Sequence, residues 1–468
     1  MTIDTPILGA GDLRLFWTAF DPLDLASDSI DPLGFMTGYV ALADRLLPGL
    51  TTITTVPRYA GMLCCALSAA RNAVGGVISQ GPSAYRRQII EKLKLFERAW
   101  ALACGIAESN NVGDRATDGL RGVRAVHRYL ELVSGKEKIS LAFSLLSNQV
   151  RYGGIGAYGT FLESMHLADL NALTLRPLGI ELAQAFPSPE SHGLDVLRED
   201  GKLSVESLRQ WGEFSHLGTL STPEAQCLRR ALQGDEEAEL DDQARWVMLR
   251  LIRTCAVAED MAERDLMRAC LSFLEQNDFS RIDIGGLAKT RIQPALRVIE
   301  QYERMYQCAS FLFDQMRTAA TSSGRASLTE LVRRERVQNA FGEMKVSAAD
   351  FLREVEAASP EDGIGPARQT LQKLRILDLA QTTASIDNPV MLCQEVVRRH
   401  TSIQQGKFDG GLPKGAWISA DGNDHQFRLT QQRFGIEPSE APEAWHNVPR
   451  HPYRTAGARR FIRQCLIR

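Results

Sequence analysis

The chain has 468 residues, of which 44% are hydrophobic and 24% charged, and its formal net charge is -3. That supplies apolar material for about three domains with cores of their own. The charge balance is too even for a protein that coats nucleic acid with its whole surface. Nine cysteines (Cys64, Cys65, Cys104, Cys227, Cys255, Cys270, Cys308, Cys393, Cys465) are an odd number without a CxxC pair. They predict buried, reduced thiols of the cytoplasm, with no disulfide framework and no metal site. No stretch reaches the roughly 18 uninterrupted apolar residues of a membrane span. Met1 to Asp12 lacks a basic segment followed by an apolar core, so neither membrane insertion nor secretion is expected.

From the N terminus, Leu13 to Phe20 reads as extended, and Asp31-Pro32-Leu33-Gly34 leads into a helix ending at Leu47. Pro48-Gly49 stops that helix, since proline cannot continue the ladder and glycine accepts the left-handed cap. Leu50 to Tyr59, with threonine at 51, 52, 54 and 55, predicts a structured connection whose hydroxyls can cap backbone groups. A helix from Tyr59 to Val74 follows, then two long ones, Ser83 to Glu108 and Asp118 to Val133. On the first of these, Ile89, Leu93, Phe96, Trp100 and Cys104 fall at three- and four-residue spacing.

Lys138 to Phe186 has the order of a winged helix-turn-helix: an apolar helix (Ile139 to Val150), a Gly-rich break (Tyr152 to Gly156), a second helix (Ala157 to Leu167), an extended piece (Leu173 to Leu175) and a helix from Pro177. Such a module grips duplex DNA or another protein. The second helix carries Glu163 and His166 but no Lys or Arg, whereas base readout in the major groove uses Arg, Lys, Asn or Gln. Phosphate contact therefore falls to Arg151 before it and Arg176 in the wing, which position the module without reading sequence. Gly154-Ile155-Gly156-Ala157-Tyr158-Gly159 has the letters of the dinucleotide fingerprint. No β-branched strand precedes it and no βαβ unit surrounds it, so no cofactor is expected.

The run Leu33-Gly34, Leu46-Leu47-Pro48-Gly49-Leu50-Thr51, Thr54 and Arg58-Tyr59, together with Arg151-Tyr152-Gly153-Gly154, Leu173-Thr174 and Gly179 to Ala183, resembles uncharacterised bacterial proteins associated with anti-phage defence gene clusters. The resemblance implies a biological setting and partner subunits of the same system. It carries over no catalytic residue.

Beyond the boundary at Phe186-Pro187-Ser188-Pro189, Thr222-Pro223-Glu224 starts a helix. Asp235 to Asp242 places six acids in eight residues ahead of a helix from Gln243 to Val257, where the macrodipole favours negative charge. Ile292, Leu296, Ile299, Tyr302, Tyr306, Ala309, Phe313 and Met316 mark a long spine helix. Ser327 with Glu330 is a capping box, Pro360 to Pro366 a linker, and Ala367 to Ala380 a helix. From Val396 to Arg468 twelve Lys and Arg stand against six Asp and Glu. Arg450, Arg454, Arg459, Arg460 and Arg463 make this end a predicted footprint for phosphate.

The sequence thus predicts a mainly α, multidomain helical protein with a central winged helix-turn-helix and a basic C-terminal region with minor β. The expected segments are 1–136 (N-terminal helical), 137–187 (winged helix), 188–358 (helical) and 367–468 (C-terminal helix and basic region). The expected role is a noncatalytic or accessory subunit that binds partner proteins and contacts DNA or RNA phosphates. The rival is a nuclease built on His400, Lys407 and Asp409, or on an Arg-His pair, Arg121 with His127 or Arg209 with His216. In such a site histidine moves the proton and arginine steadies the phosphorane.

Overall fold

The computed structural model describes residues 31–75, 82–109, 117–198, 201–218, 220–234, 239–256, 261, 263–276, 285–321, 324–358, 363–409, 412–421, 423–430 and 454–466. In chain order these form helices α1 (Met36–Leu46), α2 (Arg58–Val74), α3 (Pro82–Ser109) and α4 (Val123–Leu132), strand β1 (Lys138–Ser140), helices α5 (Gln149–Tyr152) and α6 (Gly154–Ser164), strands β2 (Ala168–Asp169) and β3 (Thr174–Leu175), and helix α7 (Pro177–Ala185). Strand β4 (Lys202–Ser204) and helices α8 (Val205–Ser215), α9 (Thr222–Gln233), α10 (Leu240–Cys255), α11 (Glu263–Glu275) and α12 (Gln293–Thr321) follow. The remainder is β5 (Arg325–Ser327), α13 (Leu328–Leu331), α14 (Glu335–Ala357), α15 (Gly365–Lys373), α16 (Ile376–Ser385), α17 (Pro389–Gln405), β6 (Phe408–Asp409), β7 (Leu412–Pro413), β8 (Ile418–Asp421), β9 (Asn423–Leu429) and α18 (Thr455–Phe461). The protein is mainly α. The extended run expected at Leu13 to Phe20 lies outside the described residues. Among them, 48–249 and 454–466 make one unit, and 31–47 with 250–430 make a second.

The core of the first unit is built where α2, α3, α7 and α8 pack together. Trp100 and Trp211 are fully buried, and each indole N–H finds a carbonyl: Trp100 donates to Ser215 and Trp211 to Pro187, both at 2.8 Å. At the α3–α8 crossing, a Cβ on Gly212 would fall well inside contact distance of the Ala103 carbonyl oxygen. Arg58 pairs with Glu224 at 2.9 Å, both buried, and Glu224 also closes a capping box with Ser221 at the start of α9. Tyr59 stacks on Tyr158 with ring centroids 4.8 Å apart, and the Tyr158 hydroxyl accepts from the Val56 amide at 2.9 Å. The strings around Leu50 to Tyr59 and Arg151 to Gly159, far apart in sequence, therefore meet in one core.

The helix expected over Ile139 to Val150 does not form. Lys138–Ser140 is a strand, paired antiparallel to β4 with Ile139 opposite Leu203, and turns fill the stretch to α5. Polar side chains explain the difference. The Ala142 amide donates to the Ser140 hydroxyl at 3.1 Å, the Ser144 hydroxyl donates to the Leu146 carbonyl at 3.3 Å, and Asn148 caps α5 by accepting from the Arg151 amide at 3.0 Å. Such local bonds compete with the helical ladder. Ile139, Leu141 and Leu145 are still buried, by strand and turn. After α5 and α6 comes a short antiparallel hairpin, with Ala168 opposite Leu175 and Asp169 opposite Thr174. Helix α6 buries Ile155, Ala157, Tyr158, Phe161 and Leu162, and its exposed positions are Gly156 and Thr160.

In the second unit the predicted spine is α12, and α1 and α14 pack on it. Phe35 sits edge-on to Tyr302 at 5.6 Å, and the Tyr302 hydroxyl donates to the Phe35 carbonyl. Strands β5, β9 and β8 form an antiparallel sheet in that order. The helix expected from Ala367 to Ala380 is two helices, broken at Arg375, whose φ is 55°. Arg399 accounts for the break: its guanidinium donates to the carbonyls of Leu374 at 3.3 Å and Arg375 at 3.4 Å, and to that of Leu33 at 2.7 Å. A side chain from α17 thus closes the end of α15.

Candidate nucleic-acid interface

Helix α18 and the π-helical turn after it, Ile462–Leu466, bury Ala458, Phe461, Ile462, Cys465 and Leu466 in the first unit, where Phe461 meets Phe161 at 5.1 Å. That packing divides the expected basic end. Arg454 starts the helix in the left-handed region and is buried, 5% exposed, so a phosphate cannot reach it as folded. Arg459 is half-buried, with Nε and Nη2 enclosed and without a hydrogen-bond acceptor. Arg460 donates to the Asp118 carbonyl at 3.1 Å and lies 3.6 Å from its carboxylate. Arg463 is exposed. Arg450 lies outside the described residues.

The contact to Asp118 leads to a set of arginines that the sequence did not single out together. A turn at 117–120, closed by the Leu120 amide on the Thr117 carbonyl at 2.8 Å, carries Gly119 at positive φ, and a left-handed Gly122 caps α4, so that the helix starts only at Val123. Between the two glycines sits Arg121. Its amide donates to the Tyr59 hydroxyl at 2.7 Å, and its Nε donates to the Tyr152 carbonyl. Tyr152 in turn lies under the Arg151 guanidinium, 5.4 Å from ring centroid to Cζ. Along α4, Arg124, His127 and Arg128 are exposed at the three- and four-residue spacing of one helix face. Burial pushes the Tyr158 phenol up, and the Val56 amide together with the nearby Arg121 and Arg460 guanidiniums opposes the shift. Of the acids nearby, Asp118 pairs with Arg460 and Glu108 with His127 at 2.9 Å, while Glu131, one turn after His127 and Arg128 on α4, is exposed.

The glycine-rich run has an anion of its own. The Gly154 amide donates to the Glu97 carboxylate at 2.6 Å, and the Gln149 side chain donates to its other oxygen at 2.8 Å. Burial raises the Glu97 pKa, and the bonds from Gln149 and Gly154 oppose it. A Cβ at Gly153 would press on the Gln149 carbonyl and on this carboxylate, and one at Gly156 on the Arg151 carbonyl. Protein carboxylate occupies the helix start where the fingerprint would put a pyrophosphate.

Arg176 is exposed, and its Nη1 lies 3.0 Å from His166 Nδ1, whose Nε2 is 3.2 Å from Asp242. The candidate catalytic residues of the second unit hold backbone. His400 Nδ1 donates to the Pro32 carbonyl at 2.9 Å and its Nε2 accepts from the Trp417 amide at 2.8 Å, while the Lys407 ammonium donates to the Asp31 carbonyl at 2.6 Å. Burial pushes the His400 pKa down to about 4, the Pro32 bond opposing and the nearby Lys407 adding to the shift. Asp409 belongs to β6, paired with Leu412. Arg209 is tied to Glu206 and Glu213, and His216, buried, accepts from the Gly218 amide at 3.0 Å. Among the described residues, no cluster of His, Cys, Asp or Glu is arranged to hold a metal ion, and no helix is long and apolar enough to cross a membrane.

The second unit also has an open groove of about 450 Å³, lined by Gln394, Val397, Arg398 and Thr401 of α17 and by Ser419 and Phe427 of the sheet. Its one arginine pairs with Glu395, so it offers no row of positive charge. The arginines of α4 and its neighbours do. No family model, curated protein or solved structure matches the chain.

Proposed function

We propose that the protein is a noncatalytic subunit of a bacterial anti-phage defence complex that contacts nucleic-acid phosphates through Arg121, Arg124, Arg128 and Arg151, with Arg460 behind them. The observation that carries this reading is the convergence of Arg121 and Arg151 on Tyr152, beside the exposed Arg124 and Arg128 of α4. Guanidiniums suit phosphate because their forked N–H groups match its oxygens. The α5–α6 turn and the β2–β3 hairpin support a winged-helix reading in which the module positions the protein. With Gly156 and Thr160 as its exposed positions and Glu163 half-buried, α6 brings no Arg, Lys, Asn or Gln to base edges. The defence setting rests on the resemblance of the Leu46 to Tyr59 and Arg151 to Gly154 strings, and the partner subunits on the same ground.

The test is fluorescence anisotropy with a labelled oligonucleotide on the wild type and on Arg124→Glu/Arg128→Glu. Wild-type binding that the double variant weakens at least tenfold supports the reading, since charge reversal removes two contacts and adds repulsion. Equal affinities would move the contact elsewhere on the chain. No wild-type binding at any salt would leave the protein-docking role alone.

A second reading, a metal-independent nuclease, is favoured by one contact: His127 held by Glu108 at 2.9 Å between two arginines of α4. A carboxylate that orients an imidazole beside phosphate-binding groups is the arrangement for general acid–base work. Cleavage of labelled RNA by the wild type and its loss in His127→Ala would establish it; equal cleavage by both would exclude it.

A further inference from the structure

We infer that Tyr152 is a base-stacking platform, so that the arginine patch takes single-stranded nucleic acid in preference to duplex; the inference rests on the phosphate-binding reading above. Tyr152 is among the large side chains left exposed, at 44%, and it ends α5 on a backbone fixed from several directions. Its amide donates to the Asn148 carbonyl at 2.9 Å, its carbonyl accepts from Arg121, and the next residue, Gly153, is wedged against Gln149 and Glu97. The ring is therefore presented from a held position. Arg151 over the ring and Arg121 at its carbonyl place two guanidiniums beside it. An aromatic face flanked by guanidiniums is what a flexible strand needs: the phosphates track the charge while an unpaired base lies on the ring. A duplex keeps its base faces inside the stack and leaves the ring without a partner. The short β2–β3 hairpin and the α6 surface add no competing reader of a groove.

The experiment compares labelled probes of equal length on the full chain: single-stranded DNA, single-stranded RNA, duplex DNA, and a single strand whose bases are replaced by abasic sites. A strand carrying 2-aminopurine reports stacking directly by quenching. The single strands should bind more tightly than the duplex at equal salt, with quenching, and comparison of the DNA and RNA arms identifies the natural strand. Tyr152→Ala should bind single strands roughly 5- to 150-fold more weakly, as the loss of one stacked base implies, down to the abasic value and without a change in salt slope. Tyr152→Phe should keep both affinity and quenching, which separates loss of stacking from loss of fold. Equal wild-type affinity for normal and abasic strands, or unchanged binding by Tyr152→Ala, would overturn the stacking role while leaving phosphate binding intact. Absence of wild-type binding to every probe would instead remove the parent reading, and this one with it.

Discussion

His400 illustrates how a residue that reads as chemistry can be architecture. A histidine, a lysine and an aspartate within ten positions suggest proton transfer, yet both imidazole nitrogens and the lysine ammonium are committed to segment 31–33 and to Trp417. The bonds require the neutral ring, and burial lowers its pKa to about 4 from an ordinary 6.5. A depressed histidine contributes stability that is fully present above pH 6.5 and lost as the pH falls through about 4. The shift is worth on the order of 3 kcal/mol. Urea unfolding at pH 7 and pH 4 should show this loss in the wild type and less of it in His400→Gln; equal losses would contradict the assignment. The Arg58–Glu224 pair makes a second prediction. Glu224→Ala leaves a buried guanidinium without its partner and should cost about 3–5 kcal/mol in chemical denaturation. Arg58→Met with Glu224→Gln removes both charges, keeps the capping-box acceptor, and should cost less than either charge removed alone. Strictly additive costs would show that the two side chains do not act as a pair. Neither partnership was legible in sequence, because the members are 166 and 368 positions apart or more locally silent.

Elements were most legible where apolar spacing was long and most elusive where short polar side chains bond their own backbone. Helices α1, α2 and α3 end within a few residues of where they were expected, α7 starts at Pro177 and α12 carries the expected stripe, since Pro48-Gly49, Pro177 and three- and four-residue apolar spacing are local signals. Ile139 to Val150 has equally apolar spacing but serines and an asparagine that bond the backbone of the turn. The break at Arg375 depends on Arg399, which arrives from another helix. The Gly-rich run, read in the sequence as a break between helices, also receives the carboxyl group of Glu97 from α3, which no local signal announces. The α3–α8 crossing gives a prediction of the same kind. Gly212→Ala forces a methyl against the Ala103 carbonyl, and overpacking of this sort costs about 1–3 kcal/mol. A thermal melt of the variant should fall by several degrees; an unchanged melt would mean the helices separate without penalty.

The described residues form two units whose segments interleave, so that 31–47 joins 250–430 and 454–466 joins 48–249. Linkers rich in proline and glycine mark where a helix stops, and they do not mark which distant segment completes a core. That is why the mainly helical character was visible in sequence and the interleaving was not. The same long-range return decides the interface. Arg151 and Arg460 were phosphate candidates in the sequence; the fold places Arg460 on Asp118 and Arg121 on Tyr152, with Arg124 and Arg128 exposed on the helix that follows Arg121.

Affinity as a function of salt tests the phosphate role most directly. On a single strand each neutralised phosphate contributes about -0.7 to the slope of log affinity against log salt, and on a duplex about -0.9. Between about 50 and 200 mM salt, Arg124→Gln/Arg128→Gln/Arg151→Gln should therefore flatten the wild-type slope by roughly 2 on a single strand, while Arg463→Gln, outside the patch, should change it by one contact at most. A triple variant with the wild-type slope and affinity would contradict the assignment of the phosphate contacts to this patch.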